Sequence, residues 1–254
     1  MSPSAKPEPA AQGEALDRGM RRFLHGPQSR TYELLRSLEI YREYYSGLRA
    51  LHFVGPCVTV FGSARITEGD PAYTEAQAVG RLLAESGMTV MTGGGPGLME
   101  AANRGAREGG GRSIGLGIRL PHEQRPNDYL DQFIEFEHFF IRKVMLMKYS
   151  FGFIACAGGF GTLDELFEAA TLIQTGKVDD FPLVLLGRDF WMPVLEVLQR
   201  QLVGHGTVEP ADVQRFHLTD DPIEAVDIIR GTAVSRFGLG FGTPHRHWWL
   251  AERS

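Results

Sequence analysis

Cysteine is nearly absent from this sequence: Cys57 and Cys156 are the only two in 254 residues. Each falls in an apolar run that reads as a buried strand, and no C-x-x-C or zinc-ligand spacing accompanies them. That excludes a disulfide scaffold, and the two thiols are expected to be inert core groups of a cytoplasmic protein. No apolar run approaches the ~20 residues that cross a bilayer, and the N-terminus lacks a hydrophobic signal core. Positive charge is not in excess. The formal net charge of −5 argues against nucleic acid or an anionic membrane as the main partner. Lysine is scarce as well: Lys6, Lys143, Lys148 and Lys177 are the only ones, so arginine carries most of the basic charge.

What the chain does have is apolar content, 43% of its residues, in a regular alternation. Residues 1–28 are rich in Pro, Ala, Gly and charge and are expected to be disordered. Residues 29–52 have helical spacing of Tyr32, Leu35, Leu38, Tyr41, Tyr45 and Leu48. This stripe is expected to pack on its own domain, with a subunit contact as the second choice. From Cys57 onward short apolar strands alternate with helices. Strands are expected at Val58–Phe61, Met88–Met91, Ser113–Ile118, Phe133–Phe136, Phe151–Cys156 and Leu183–Leu186. Helices are expected over about 71–86, 97–108, 139–149, from Thr162, 190–202 and 222–230. The pattern predicts an α/β fold: a Rossmann-like doubly wound parallel sheet with helices on both faces. It forms a single domain over 29–233, with 29–52 as its leading helix and 234–254 as a tail.

Three strands end in small-residue loops: Gly62-Ser63-Ala64, Gly93-Gly94-Gly95-Pro96-Gly97, and Ala157-Gly158-Gly159-Phe160-Gly161-Thr162. In a parallel sheet these ends share one rim, where ligands bind. One glycine turn alone reads as structure, but three together describe a pocket lined by backbone N–H groups, suited to an anion such as phosphate. The third loop lacks the last glycine of G-x-G-x-x-G, and no G-x-x-x-x-G-K-[ST] occurs. A mononucleotide or sugar phosphate therefore fits better than a dinucleotide. Two carboxylates, Asp164 and Glu165, follow the third loop directly, which suggests chemistry beside the phosphate. The same residues also spell a capping box, with Thr162 as N-cap and Glu165 reaching back. Spacing does not separate the two readings.

The helix over 139–149 is apolar nearly all round, which implies burial, yet it carries Arg142, Lys143 and Lys148. Unpaired cations are costly to bury. Lys148 suits a surface position with its head in water. Arg142 and Lys143 are expected at the pocket, where one carboxylate or phosphate would satisfy both.

These residues resemble the LOG ("Lonely Guy") family of cytokinin riboside 5′-monophosphate phosphoribohydrolases, in particular the longer, type II members. The resemblance covers about residues 55–230. It rests on P-G-G-x-G-T-x-x-E, matched by Gly158 through Glu165 with Ala157 in place of the proline, on the pair Arg142-Lys143, and on Gly94 through Met99. It implies cleavage of the N-glycosidic bond of AMP or N6-prenylated AMP to free base and ribose 5-phosphate, without metal or organic cofactor. Arg142 and Glu165 would be the catalytic pair. Lys143, Gly158–Asp164 (Phe160 and Asp164 included) and Thr171 would line the nucleotide site, together with Gly62, Ser63, Gly94 and Gly95, and more loosely Glu123. Arg142 would keep Glu165 ionised at neutral pH. The resemblance also implies a homo-oligomer, dimer or hexamer. The alternatives are a carrier of the molybdenum cofactor on the same scaffold, a nucleotide sensor, and a purely structural protein. His245 and His247 read as a solvated tail rather than a metal site.

Overall fold

The computed structural model describes residues 20–120 and 125–237. Helix α1 (Arg30–Leu51) begins at Ser29, whose side chain accepts from the amide of Tyr32. The alternating part follows as β1 (Cys57–Phe61), α2 (Pro71–Glu85), β2 (Thr89–Thr92), α3 (Leu98–Glu108) and β3 (Ser113–Ile118). Next come β4 (Gln132–Phe136), α4 (Phe139–Tyr149), β5 (Ser150–Ala155), α5 (Phe160–Gln174) and β6 (Leu183–Leu186). Helix α6 (Arg188–Val197) runs into a π-helical segment (Leu198–Val203), then α7 (Pro210–Gln214), β7 (Phe216–Thr219) and α8 (Pro222–Phe237).

The strands form one sheet in the order β4-β3-β2-β1-β5-β6-β7, every neighbouring pair parallel. Period-two alternation along each strand sends side chains to opposite faces. Val58, Val60, Val90 and Ile154 face a core closed by Leu83, Leu98 and Ile229 of α2, α3 and α8. Cys57, Phe61, Met91 and Phe153 face another closed by Leu51, Met145, Leu166 and Trp191 of α1, α4, α5 and α6. Burial pushes both thiols, Cys57 and Cys156, up to about 12. The strand order reverses between β1 and β5, so the loops that follow those two strands flank the switch point where such sheets bind ligands.

Several expectations change. Most of the stripe on α1 faces outward: Leu38 and Tyr41 are 53% and 64% exposed, and Leu35 and Tyr45 are exposed too, while Leu48 packs on the core as expected. The helix packs instead through Arg36, Ile40, Tyr44, Gly47 and Leu51. Helix α4 is not buried all round, because Phe139, Phe140 and Val144 are exposed while Ile141, Met145 and Leu146 are covered. Residues 20–24 are helical, within the stretch expected to be disordered. Helix α8 continues to Phe237, past the expected tail boundary at 234. Strand β7 has no counterpart in the sequence reading, because Phe216–Thr219 is an edge strand of only four residues. Residues 1–19, Glu123, His245, His247 and the tail beyond 237 lie outside the described residues.

Candidate active site

Ser63 ties the loops at the switch point together. Its amide donates to the carbonyl of Ala157 (2.9 Å), and its own carbonyl accepts from Leu98 (3.0 Å). The three rim loops therefore meet at one residue. The neighbouring Gly97 is required here: it sits at φ +71°, and a Cβ would come within 2.4 Å of the Ser63 carbonyl oxygen. The loops enclose an open cleft of about 800 Å³ lined by Gly62 and Ser63 after β1 and by Gly158 through Thr162 after β5. Arg142 and Glu165 also face it.

Helix α5 starts at Phe160 with Gly159 as N-cap and no side-chain cap. The amides of Thr162 and Leu163 fold back onto the Gly159 carbonyl. Those of Gly159, Phe160 and Gly161 meet no acceptor among the described residues. Three free donors at a helix N-terminus make an anion seat. A Cβ at Gly159 or Gly161 would meet nothing within 4 Å, so the space above the turn is open to a ligand. Gly158 is different. A Cβ there would stand 2.1 Å from Thr162 Oγ1, so the turn back onto the helix admits only glycine.

The capping-box reading is overturned. Thr162 is the third helical residue rather than the N-cap, and Glu165 lies two turns into α5. Its carboxylate turns away from its own backbone and accepts from Arg142 Nη2 at 3.3 Å. Glu165 is 4% exposed. Burial pushes its carboxyl up to about 7, against the opposing pull of Arg142 and Lys143. The expectation that Arg142 keeps it ionised is thus corrected: Arg142 does favour the ionised form, but desolvation outweighs the two nearby cations, and the group is poised between its two forms at neutral pH. Burial likewise lowers the Arg142 guanidinium, partly offset by Glu165. The guanidinium lies over the Phe139 ring, 5.5 Å from its centroid, and its buried Nε has no hydrogen-bond partner among the described residues.

Arg142 and Lys143 do not share a partner. Lys143 reaches Asp164 (2.9 Å) and Glu168 (2.6 Å) on the outer side of α5, and neither Lys143 nor Asp164 lines the cleft. Burial lowers the Lys143 ammonium, but Glu168 and Asp164 outweigh it and raise it overall. Thr171 is also placed elsewhere. It faces a second, apolar hollow of about 150 Å³ between α5, the π-helical segment and β7, and its hydroxyl donates to Phe167 within the helix. Gly94 and Gly95 stand behind the cleft wall: Asn127 takes both carbonyls, and Thr92 Oγ1 takes the Gly94 amide. Gly93 and Met99 line the cleft in their place. Sequence reading also missed Phe139 and Phe190, two half-exposed aromatic side chains at the mouth beside Phe160, which is 92% exposed. Both lie in the first turn of a helix, and periodicity does not say which first turns border a cleft.

A parallel α/β sheet with an open helix N-terminus and a buried arginine–carboxyl pair at its switch point defines a Rossmann-like protein with a phosphate-receptive cleft. Comparison with known proteins places it more closely. The family model described as "Possible lysine decarboxylase" matches residues 99–229, and the chain belongs to this, the LOG, family. A cytokinin riboside 5′-monophosphate phosphoribohydrolase of Mycobacterium tuberculosis is 30% identical over 171 residues, 66% of this chain and 90% of the relative. One from Rhodococcoides fascians is 28% identical over 180 residues, 68% and 88% respectively. Among solved structures, a molybdenum cofactor binding protein from Rippkaea orientalis is 24% identical with a TM-score of 0.53, covering 69% of this chain and 96% of that one. The molybdenum cofactor carrier protein of Chlamydomonas reinhardtii is 23% identical with a TM-score of 0.53, covering 70% and 98%. These likenesses show the fold. Among the described residues no cluster of metal-ligating side chains occurs, and no helix is long and apolar enough to cross a membrane.

Proposed function

We propose that the protein is a nucleoside 5′-monophosphate phosphoribohydrolase, cleaving AMP or an N6-substituted AMP to free base and ribose 5-phosphate. The observation that carries this reading is the Arg142–Glu165 pair in the same cleft as the free amides of Gly159–Gly161. The turn would grip the 5′-phosphate and so fix the ribose against the carboxyl. As the base leaves, positive charge builds on the ribose, and the Glu165 carboxylate stabilises it or takes a proton from the attacking water. A carboxyl held near 7 suits proton transfer at neutral pH. Arg142 orients Glu165 and presents its guanidinium at the cleft wall. The aromatic mouth of Phe139, Phe160 and Phe190 suits a flat base.

A pyridoxal-dependent decarboxylase, which the family model's description suggests, needs a lysine amine free to form a Schiff base. Lys143 is held charged between two carboxylates outside the cleft, which speaks against it. A phosphate-binding carrier needs the turn but not the buried ion pair. The test is incubation of purified protein with AMP and chromatography of the products. Adenine and ribose 5-phosphate are expected from wild type, with a loss of about 10²–10⁴-fold in Glu165→Gln. Intact AMP, or full activity in Glu165→Gln, sinks the reading. Bound pterin absorbance without hydrolysis would favour the carrier.

A further inference from the structure

The position of Arg142 is set by its backbone, because its side chain has little to hold it: one long hydrogen bond to Glu165 and a ring face. Arg142 is the fourth residue of α4, and its amide donates to the carbonyl of His138 (3.2 Å), the N-cap of that helix. His138 places no side-chain cap on α4 itself. The cap comes from α1. Glu43 Oε1 accepts from the amides of Glu137 (2.6 Å) and His138 (3.2 Å), and Oε2 pairs with His138 Nδ1. Arg36 of α1 pairs with Glu137, strapping the same corner from two turns earlier. His138 is 1% exposed, packed edge-on against Phe23. A carboxylate at a helix N-terminus satisfies free amides and opposes the helix dipole favourably. A continuous path therefore runs from Glu43 to His138, on to the Arg142 backbone, and from its guanidinium to Glu165. Helix α1 lies wholly outside residues 99–229, where the family model matches.

We propose that Glu43 of α1, acting through His138, is a positioning residue that aims Arg142 at Glu165, so that the N-terminal helix completes the active site. This rests on the phosphoribohydrolase reading above. Among the described residues no hydrogen bond or ion pair joins the Gly158–Gly161 turn to Glu43, Glu137 or His138, so positioning and phosphate binding separate experimentally. Glu43→Gln keeps the side chain's shape but removes its charge and one of its two acceptor oxygens.

The experiment measures AMP hydrolysis and ribose 5-phosphate affinity for wild type, Glu43→Gln, Arg142→Ala and the double variant, with Arg42→Gln as a control on the exposed side of α1. Glu43→Gln is expected to lower kcat about 10-fold or more and to leave ribose 5-phosphate affinity unchanged. In the Arg142→Ala background the same change should cost nothing further, since the two act as one unit. Arg42→Gln should match wild type. An unchanged kcat overturns the proposal, as does an undiminished effect in the Arg142→Ala background, or a parallel loss of ribose 5-phosphate affinity. A wild type that fails to hydrolyse AMP sinks the enzyme reading alone. Positioning is then read from the ¹³C titration of the Glu165 carboxyl, which is surrounded by Arg142, Lys143, Asp164 and Glu168. Its midpoint should rise in Glu43→Gln as the Arg142 charge moves off, and an unmoved midpoint overturns the proposal.

Discussion

Glu165 owes its chemical character to a contest between burial and the charges around it. Burial raises its carboxyl, Arg142 and then Lys143 draw it down, and the balance stands at about 7. The sign of the pH dependence follows. If the ionised form acts, kcat/KM rises with pH, reaches half its plateau near 7, and stays flat above. Replacing Arg142 with Gln removes the charge that favours ionisation, so the midpoint should move to higher pH. AMP's own phosphate titrates near 6, so the measurement is the difference between the two enzymes' profiles, in which that group cancels. A midpoint that stays put in Arg142→Gln would mean the pair is not electrostatically coupled. The pair was expected from the family resemblance, carried by Arg142-Lys143 and Gly158 through Glu165, and the structure brings the two side chains together. Spacing did not separate a catalytic Glu165 from a capping one, and only the start of α5 at Phe160, two residues earlier than expected, turns its side chain into the cleft.

At the scale of elements, the glycines of the β5–α5 turn divide by what a methyl group would meet. Gly158→Ala puts a carbon 2.1 Å from Thr162 Oγ1, an overpacking that should cost about 1–3 kcal/mol, read as a lowered Tm. Gly161→Ala meets open space. It should fold normally while its methyl group enters the anion seat, raising KM for AMP and weakening ribose 5-phosphate binding by calorimetry. Equal effects of the two changes on Tm would contradict this division. The α1–α4 corner has its own pH signature. Burial would raise the Glu43 carboxyl, but His138 and the two amides outweigh it and hold it below its usual value of 4.5. A lowered carboxyl stabilises the fold above its unfolded value and loses that contribution as pH falls through the folded one. The stability gap between wild type and Glu43→Gln in denaturant titrations should therefore be complete above about pH 5 and close in stronger acid.

For the molecule as a whole, the exposed row Leu34, Leu38, Tyr41 and Tyr45 repeats at intervals of four, three and four along α1. That is the spacing of a helix–helix seam, which makes this row the place to test the homo-oligomer expected from the resemblance. Leu38→Glu with Tyr41→Glu should lower the oligomeric mass seen by light scattering while leaving circular dichroism intact, and an unchanged mass would remove α1 from any interface. The fold was almost fully legible, because β1 through β6 are short apolar runs set apart by helices with 3.6-residue periodicity. Strand β7 escaped because Phe216–Thr219 is a four-residue edge strand, too short for its apolar–polar alternation to stand out. The outward stripe on α1 was misjudged for the opposite reason. Its periodicity was clear, but periodicity shows that one face is apolar and not what covers it.

The amino-acid order by itself determined that the sheet is parallel, that glycine loops gather at one edge, and that an arginine and a glutamate follow at the right spacings. These depend on local preference and on the handedness of strand connections, which hold wherever the chain sits. Tertiary structure alone decided which charges meet, because partnership depends on distances between residues far apart in the chain. It sent Lys143 outward, Arg142 inward and Thr171 to another hollow, and it brought Glu43 across 95 residues to cap the helix that carries Arg142.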